Sequence, residues 1–150
     1  RGDNVTSGYE NNEEANNSSF TDGWFRTGDQ GFFDKDGYLK ISGRLKEIIN
    51  RGGEKVSPLE IDNVLMEHEA IEQVVTFGVK DKLLGETIGV ALVLNHGFQC
   101  TEKELKEYAR QHLADFKIPK YICFLEEIPK GATGKLQRIG LADKLGLEKI

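Results

Sequence analysis

The sequence predicts an α+β fold, with a small central sheet of about three strands covered by helices and an N-terminal β-hairpin ahead of it. Three observations carry that expectation. From residue 57 onward, segments of helical and of strand periodicity alternate. Residues 73–79 (QVVTFGV) and 87–94 (TIGVALVL) are β-branched and apolar enough to be buried strands. Residues 32–39 set two apolar runs around Lys35-Asp36-Gly37, which is a hairpin signal.

In chain order, residues 1–23 are rich in Asn, Glu, Ser and Gly, and 11–19 (NNEEANNSS) reads as a short helix or a mobile loop, with composition alone favouring the loop. Gly23 to Asp29 is apolar and aromatic and ends in a Gly-Asp turn, and Tyr38 to Ile41 is expected to be a strand. The stretch 43–60 (GRLKEIINRGGEKVSPLE) is the densest in signals. Residues 45–49 read as a strand that breaks into Gly52-Gly53, where the backbone can approach a ligand closely. Arg44, Lys46, Arg51 and Lys55 flank that turn, which reads equally as a solvated hairpin and as an anion site. Ser57-Pro58-Leu59-Glu60 has the form of a capping box with Pro at the first helical position. It opens a helix to about Glu69, with Leu59, Ile61, Val64 and Leu65 at helical spacing. A second capping box, Thr101 to Glu104, opens a helix with Leu105, Tyr108, Ala109 and Leu113 on one face. Lys117-Ile118-Pro119 ends it, residues 121–125 are a short strand, 129–135 a loop, and 136–145 a closing helix.

A length of 150 residues suits one modest domain, and 38% hydrophobic with 30% charged residues fits a soluble globular chain. No apolar run is long enough for a transmembrane helix, and no signal-peptide pattern opens the chain, so a cytoplasmic protein is expected. The chain begins on Arg1 without an initiator Met, which reads as a fragment. The net charge of −5 is uneven: residues 1–43 carry eight acids and four bases, residues 44–150 seventeen acids and sixteen bases. A near-neutral second part excludes a general nucleic-acid surface, so any anion must be held by a local cluster. Cys100 and Cys123 lack disulfide or metal-ligand spacing, and His68, His96 and His112 have no partner motif, so no metal site is expected. The Asn4-Val5-Thr6 sequon and the Arg1-Gly2-Asp3 tripeptide are short enough to arise by chance.

Gly131-Ala132-Thr133-Gly134-Lys135 is not a phosphate loop. Pro129 stands where that loop needs its first glycine, and Leu136 where it needs Ser or Thr. What remains is a lysine on a twice-glycine loop, able to reach an anionic transition state or to be a plain surface turn.

Three pieces occur in order: FRTGD at 25–29, GRLKEIINRGGEKVSPLEI at 43–61 and PKGATGKLQR at 129–138. Together with GYENNEEA at 8–15 and FKIP at 116–119, they resemble the C-terminal part of the adenylate-forming acyl-activating enzymes, and within these the acyl-CoA synthetases. The resemblance implies an ATP-dependent acid–CoA ligase that makes an acyl-adenylate with Mg²⁺ and passes the acyl group to coenzyme A. Residues 1–42 would be the tail of the large AMP-binding domain, partly mobile in isolation, and 43–150 the C-terminal lid domain. The partners implied are that large domain, a carboxylic acid and coenzyme A, with neither nucleic acid nor membrane span. Asp29 would accept hydrogen bonds from the ribose hydroxyls of ATP or AMP, and Arg44 would add a ribose or phosphate contact. Lys46 would be the hinge, and Lys135 would neutralise charge on the α-phosphate and the attacking carboxylate. Gly52, Gly53, Glu54 and Lys55 would replace it for thioester formation, guiding the pantetheine arm. The chain departs from the pattern at Asn50, where luciferases and plant coumarate ligases carry lysine. Two further readings are a lid from a carrier-protein-loading or luciferase-like relative, and a non-catalytic module on the same fold.

Overall fold

A computed structural model describes residues 1–131 and 134–147. The α+β expectation holds. The N-terminal part comprises helix α1 (Glu13–Ser19), a two-residue pair β1 (Phe20–Thr21) and β2 (Trp24–Phe25), and the hairpin β3 (Asp29–Phe33) with β4 (Leu39–Arg44). The loop expected at 11–19 is thus corrected to a helix from Glu13. Asn12 caps it by accepting from Ala15 N at 3.0 Å, and Glu13 and Glu14 sit in its first turn, where carboxylates complement the helix dipole.

A 3₁₀ turn, Leu45–Glu47, follows β4, and strand β5 (Ile49–Arg51) follows the turn. The strand expected at 45–49 therefore begins only at Ile49, whose side chain is the first to enter the core. β5 returns as β6 (Glu54–Val56) through Gly52 and Gly53, at φ of +61° and +96°. Positive φ at both central residues marks a type I′ hairpin, the turn that glycine enters without steric cost.

Helix α2 (Pro58–Met66) has Ser57 as N-cap, but the expected capping box is not made. Ser57 Oγ instead donates to the Ser42 carbonyl at 2.6 Å, and Glu60 pairs with Lys117 at 2.6 Å. The end of β4 brings a nearer acceptor than the helix's own backbone. Strands β7 (Ile71–Asp81) and β8 (Gly85–Leu94) form a long antiparallel hairpin. Helix α3 (Glu102–His112), with its capping box intact at Thr101 and Glu104, leads to β9 (Tyr121–Phe124), which runs parallel to β8. The strands expected at 73–79, 87–94 and 121–125 are all present in this sheet, with β8 between β7 and β9. The β5–β6 hairpin joins them at Arg51↔Gly85, making five strands in all.

β8 is buried on both faces, which explains its unbroken apolar sequence. Ile88, Val90 and Leu92 pack with α2 and α3 residues Ile61, Leu65, Leu105 and Ala109. Ala91 and Val93 join Val75, Phe77, Val79 and Ile128 on the other face, covered by Leu141 and Ala142. Those last two belong to α4 (Leu141–Lys144), so the helix expected at 136–145 is corrected to one short turn. Leu136 pairs back with Lys130, and Gly140 at φ +77° holds a left-handed conformation that a right-handed helix cannot include.

The packing has no slack at Gly89. A Cβ there would lie 2.8 Å from the Phe77 ring and 2.9 Å from Val79. Overpacking of this kind costs about 1–3 kcal/mol. Gly89→Ala should therefore lower the unfolding free energy by that much, read as a lower urea midpoint with the slope of the transition unchanged.

Candidate functional site

The sequence-predicted residues are placed by the hairpin, the turn that follows it, and the C-terminal segment. Asp29 and Arg44 are cross-strand partners in β3 and β4, and Arg44 Nε lies 3.3 Å from Asp29 Oδ1. Leu45 N donates to the Gly28 carbonyl at 2.9 Å, which extends the pairing by a step before the chain enters the 3₁₀ turn. Lys46 is exposed on that turn.

Lys135 is presented by a small closed loop. Lys130 and Leu136 bridge its ends, Gly131 N donates to the Lys135 carbonyl at 2.9 Å, and Gly134 N donates to the Gly131 carbonyl at 2.9 Å. An open pocket of about 380 Å³ is lined by Arg44, Lys46, Glu47, Lys135 and Arg138 among others. Four cations line this concavity, but Arg44 pairs with Asp29 and Arg138 with Glu47 and Asp62, so the charge offered to an anion such as a nucleotide phosphate is chiefly that of Lys46 and Lys135.

Gly52, Gly53, Glu54 and Lys55 do not line this pocket. Lys55 borders a separate cavity of about 480 Å³ with Leu45, Ile48, Ser57 and Glu60. The 3₁₀ turn divides the two: Lys46 and Glu47 face the first, Leu45 the second. The glycine turn itself leans on the β7–β8 turn, with Gly52 N donating to the Leu84 carbonyl at 2.8 Å. Asp81 stiffens that neighbour, accepting from Leu83 N and Leu84 N at 3.0 and 3.1 Å. Its carboxyl is held down at about 2 by the Lys120 ammonium and by these two amides.

A second network lies behind the pocket. Arg138 donates from Nε to Glu47 Oε2 at 3.0 Å and from NH1 to the Thr76 carbonyl at 3.0 Å, and NH1 lies 2.6 Å from Asp62 Oδ2. Asp62 Oδ1 accepts from Thr76 N at 2.7 Å. Asp62 is buried on the apolar face of α2, one position after Ile61 and three before Leu65. Burial pushes its carboxyl above the ordinary carboxylate value, and the Arg138 charge and Thr76 hydrogen bonds pull it part of the way back. Asp62, Glu47 and Thr76 were given no role by the sequence, and Arg138 only a place in a motif. The one available signal was an acid at a core-facing helical position, which requires a buried partner.

Cys100 and Cys123 pack against opposite core clusters, and burial pushes both thiols up, away from nucleophilic chemistry. Among the described residues, no group of three or more His, Cys, Asp or Glu side chains could hold a metal ion. No helix among them is long and apolar enough to cross a membrane.

A two-faced α/β domain that gathers its cations on loops along one rim matches the lid domain of the adenylate-forming enzymes. The chain belongs to this family: residues 60–135 match the model of the AMP-binding enzyme C-terminal domain. It is 49% identical over 145 residues to the oxalate–CoA ligase of Saccharomyces cerevisiae, covering 95% of this chain and 27% of that protein. It is 51% identical over 138 residues to the oxalate–CoA ligase of Arabidopsis thaliana, covering 92% of this chain and 27% of that protein. The o-succinylbenzoate CoA synthetase of Bacillus subtilis, solved with its acyl-adenylate intermediate, superposes with a TM-score of 0.83 at 37% identity. That superposition covers 90% of this chain and 28% of the synthetase chain. The chain therefore spans about a quarter of the length of these relatives.

The Asp62–Arg138 pair gives a direct test. Removing one partner of a buried pair typically costs about 3–5 kcal/mol. Arg138→Met should lose stability on that scale near neutral pH, because it strands the Asp62 charge. Without Arg138 the Asp62 carboxyl rises further above its unfolded value, so the folded state takes up the proton more readily than the unfolded state. The deficit should narrow as pH falls through the folded-state value, and urea titrations across the acid range would read it.

Proposed function

We propose that the chain is the C-terminal lid of an ATP-dependent carboxylic acid–CoA ligase. The observation that carries this reading is the convergence of Arg44, Lys46 and Lys135 on one open pocket of about 380 Å³. In the first half-reaction, a carboxylate oxygen attacks the α-phosphorus of ATP and pyrophosphate leaves with the bonding electron pair. Lys135 is assigned to neutralise the negative charge gathering on the α-phosphate and the incoming carboxylate, which a positioned cation does best where charge develops. Asp29, oriented by Arg44, is assigned to the ribose hydroxyls, since a carboxylate's two oxygens can take both donors of a diol.

In the second half-reaction, the thiolate of coenzyme A attacks the acyl carbon and AMP leaves. The Gly52–Lys55 turn is assigned to this step. Its separation from the Lys135 pocket across the Leu45–Glu47 turn is what a lid with two working faces requires, and Lys46 on that turn is assigned as the hinge. Coenzyme A is the preferred acceptor because the yeast and plant relatives are named CoA ligases. Magnesium, which ATP chemistry of this kind implies, finds no cluster of three or more suitable side chains among the described residues, so it is assigned to the remainder of the enzyme.

Residues 43–150 are read as the lid proper and 1–42 as belonging with the larger AMP-binding domain. No member of either buried core cluster precedes Ile49. The β3–β4 hairpin carries Phe32, Phe33, Tyr38, Leu39 and Ile41, each more than half exposed. An apolar surface of that kind is suited to contact with the large domain. Oxalate is the first acid to assay, being the one in the yeast and Arabidopsis names.

Lys135→Ala in the full-length enzyme should slow acid-dependent pyrophosphate exchange by about 10²–10³, the usual effect of one charge-stabilising donor. Thioester formation from a supplied acyl-adenylate should be largely spared. Equal loss in both steps would show that Lys135 does not serve adenylation alone.

A further inference from the structure

The sequence between the buried anchors Ile128 and Leu141 carries Lys135 and has little side-chain attachment to the domain. Among its described residues, Lys130 pairs with Glu127 at 3.1 Å and Gln137 accepts from Lys144 at 3.3 Å, both contacts local in sequence. Arg138 reaches across the fold. Its side chain is 18% exposed, and its guanidinium meets acceptors on three different elements: Glu47 on the 3₁₀ turn, Asp62 on α2 and Thr76 on β7. A planar guanidinium fixes the direction as well as the distance of such contacts, so three of them leave it almost no freedom.

We propose that Arg138 is a positioning residue for Lys135. It works as a strut that holds the lysine loop to the Leu45–Glu47 turn through Glu47, so that loop and turn move as one body. The inference rests on the adenylation role proposed for Lys135, and it adds a specific mechanical link. Glu47 directly follows Lys46 in the chain, and Arg138 lies three residues beyond Lys135. Rotation at the turn is therefore delivered to the lysine through one ion pair, Arg138 Nε to Glu47 Oε2 at 3.0 Å, with the Asp62–Thr76 contacts as its fixed footing. Small displacements of a charge-stabilising group are costly to rate, and about 10²-fold follows from an ångström. The Lys130–Leu136 bridge closes the lysine loop on itself and does not bind it to the sheet.

The test uses Glu47→Ala, which cuts the strut and leaves the Asp62–Arg138 pair intact, alongside Arg138→Lys, which keeps the charge and loses the fork. In the full-length enzyme, with whichever acid supports exchange in the wild type, Glu47→Ala should lower kcat for pyrophosphate exchange about tenfold, an intermediate share of the misplacement penalty. KM for ATP should hold, as should the rate of thioester formation from supplied acyl-adenylate. Combined with Lys135→Ala, Glu47→Ala should cause no further loss, because it acts through that lysine. Losses that multiply in the double variant, or wild-type exchange in Glu47→Ala, would overturn the proposal. A second readout does not depend on the function of Lys135: in the 150-residue chain, Glu47→Ala and Arg138→Lys should speed tryptic cleavage after Lys135 severalfold while the urea midpoint of Glu47→Ala stays near wild type. Unchanged cleavage overturns the strut. If Lys135→Ala leaves exchange untouched while cleavage does accelerate, the assignment of Lys135 fails and the strut stands.

Discussion

The ion pair between Asp62 and Arg138 is the interaction on which the other parts of this domain depend. It solves a problem at the open edge of the sheet. Thr76 lies opposite Val90 in the β7–β8 ladder, and its N–H and C=O are bonded not to β8 but to Asp62 and Arg138. An unpaired strand edge invites association with another strand, and here an aspartate and an arginine satisfy both backbone groups. A buried pair of this kind contributes little net stability against an apolar substitute of the same volume. Its contribution is geometric: α2, β7, the turn after β4 and the C-terminal segment meet at one point.

That convergence explains how loops can carry the candidate site without being loose. The cationic pocket is built from the end of a hairpin, a 3₁₀ turn and a seven-residue bridged loop, none of which has a core of its own. Each is seated against the same rigid centre. The glycine turn follows the same logic on the other side. Its backbone conformation is set by two positive φ angles, and its position by Leu84 and the Asp81-stiffened turn beneath it. Two small, well-seated loops thus stand on opposite sides of one turn.

Much of the fold was legible because its signals are local. The β7 and β8 runs, the Lys-Asp-Gly hairpin, the Thr101 capping box and the double-glycine turn each state their structure within a few residues. The misreadings share one cause, which is tertiary contact overriding local chemistry. Ser57 left its helix to bond Ser42, and Leu136 left a helical pattern to pair with Lys130. At 11–19 polar composition hid a helix that is capped by Asn12 and held by hydrogen bonds between the Asn16 side chain and the Tyr9 backbone. In the candidate site, the cations were legible from motifs, whereas the Glu47–Arg138–Asp62 network was not. Its members are separated by up to 91 residues, and an ion pair over that distance leaves no periodicity to read.

The start of the core at Ile49 has a consequence for how such enzymes diversify. Every residue of both buried clusters lies beyond the turn, so this part of the chain brings its own interior. Similar sequence occurs in proteins named for oxalate and for 2-succinylbenzoate, at 49% and 41% identity to this chain, and those are acids of very different size. A domain so insulated is an interchangeable part. Selection on what an enzyme recognises can then act elsewhere while an interior of this kind, which starts just after the Leu45–Glu47 turn, is kept nearly as it is.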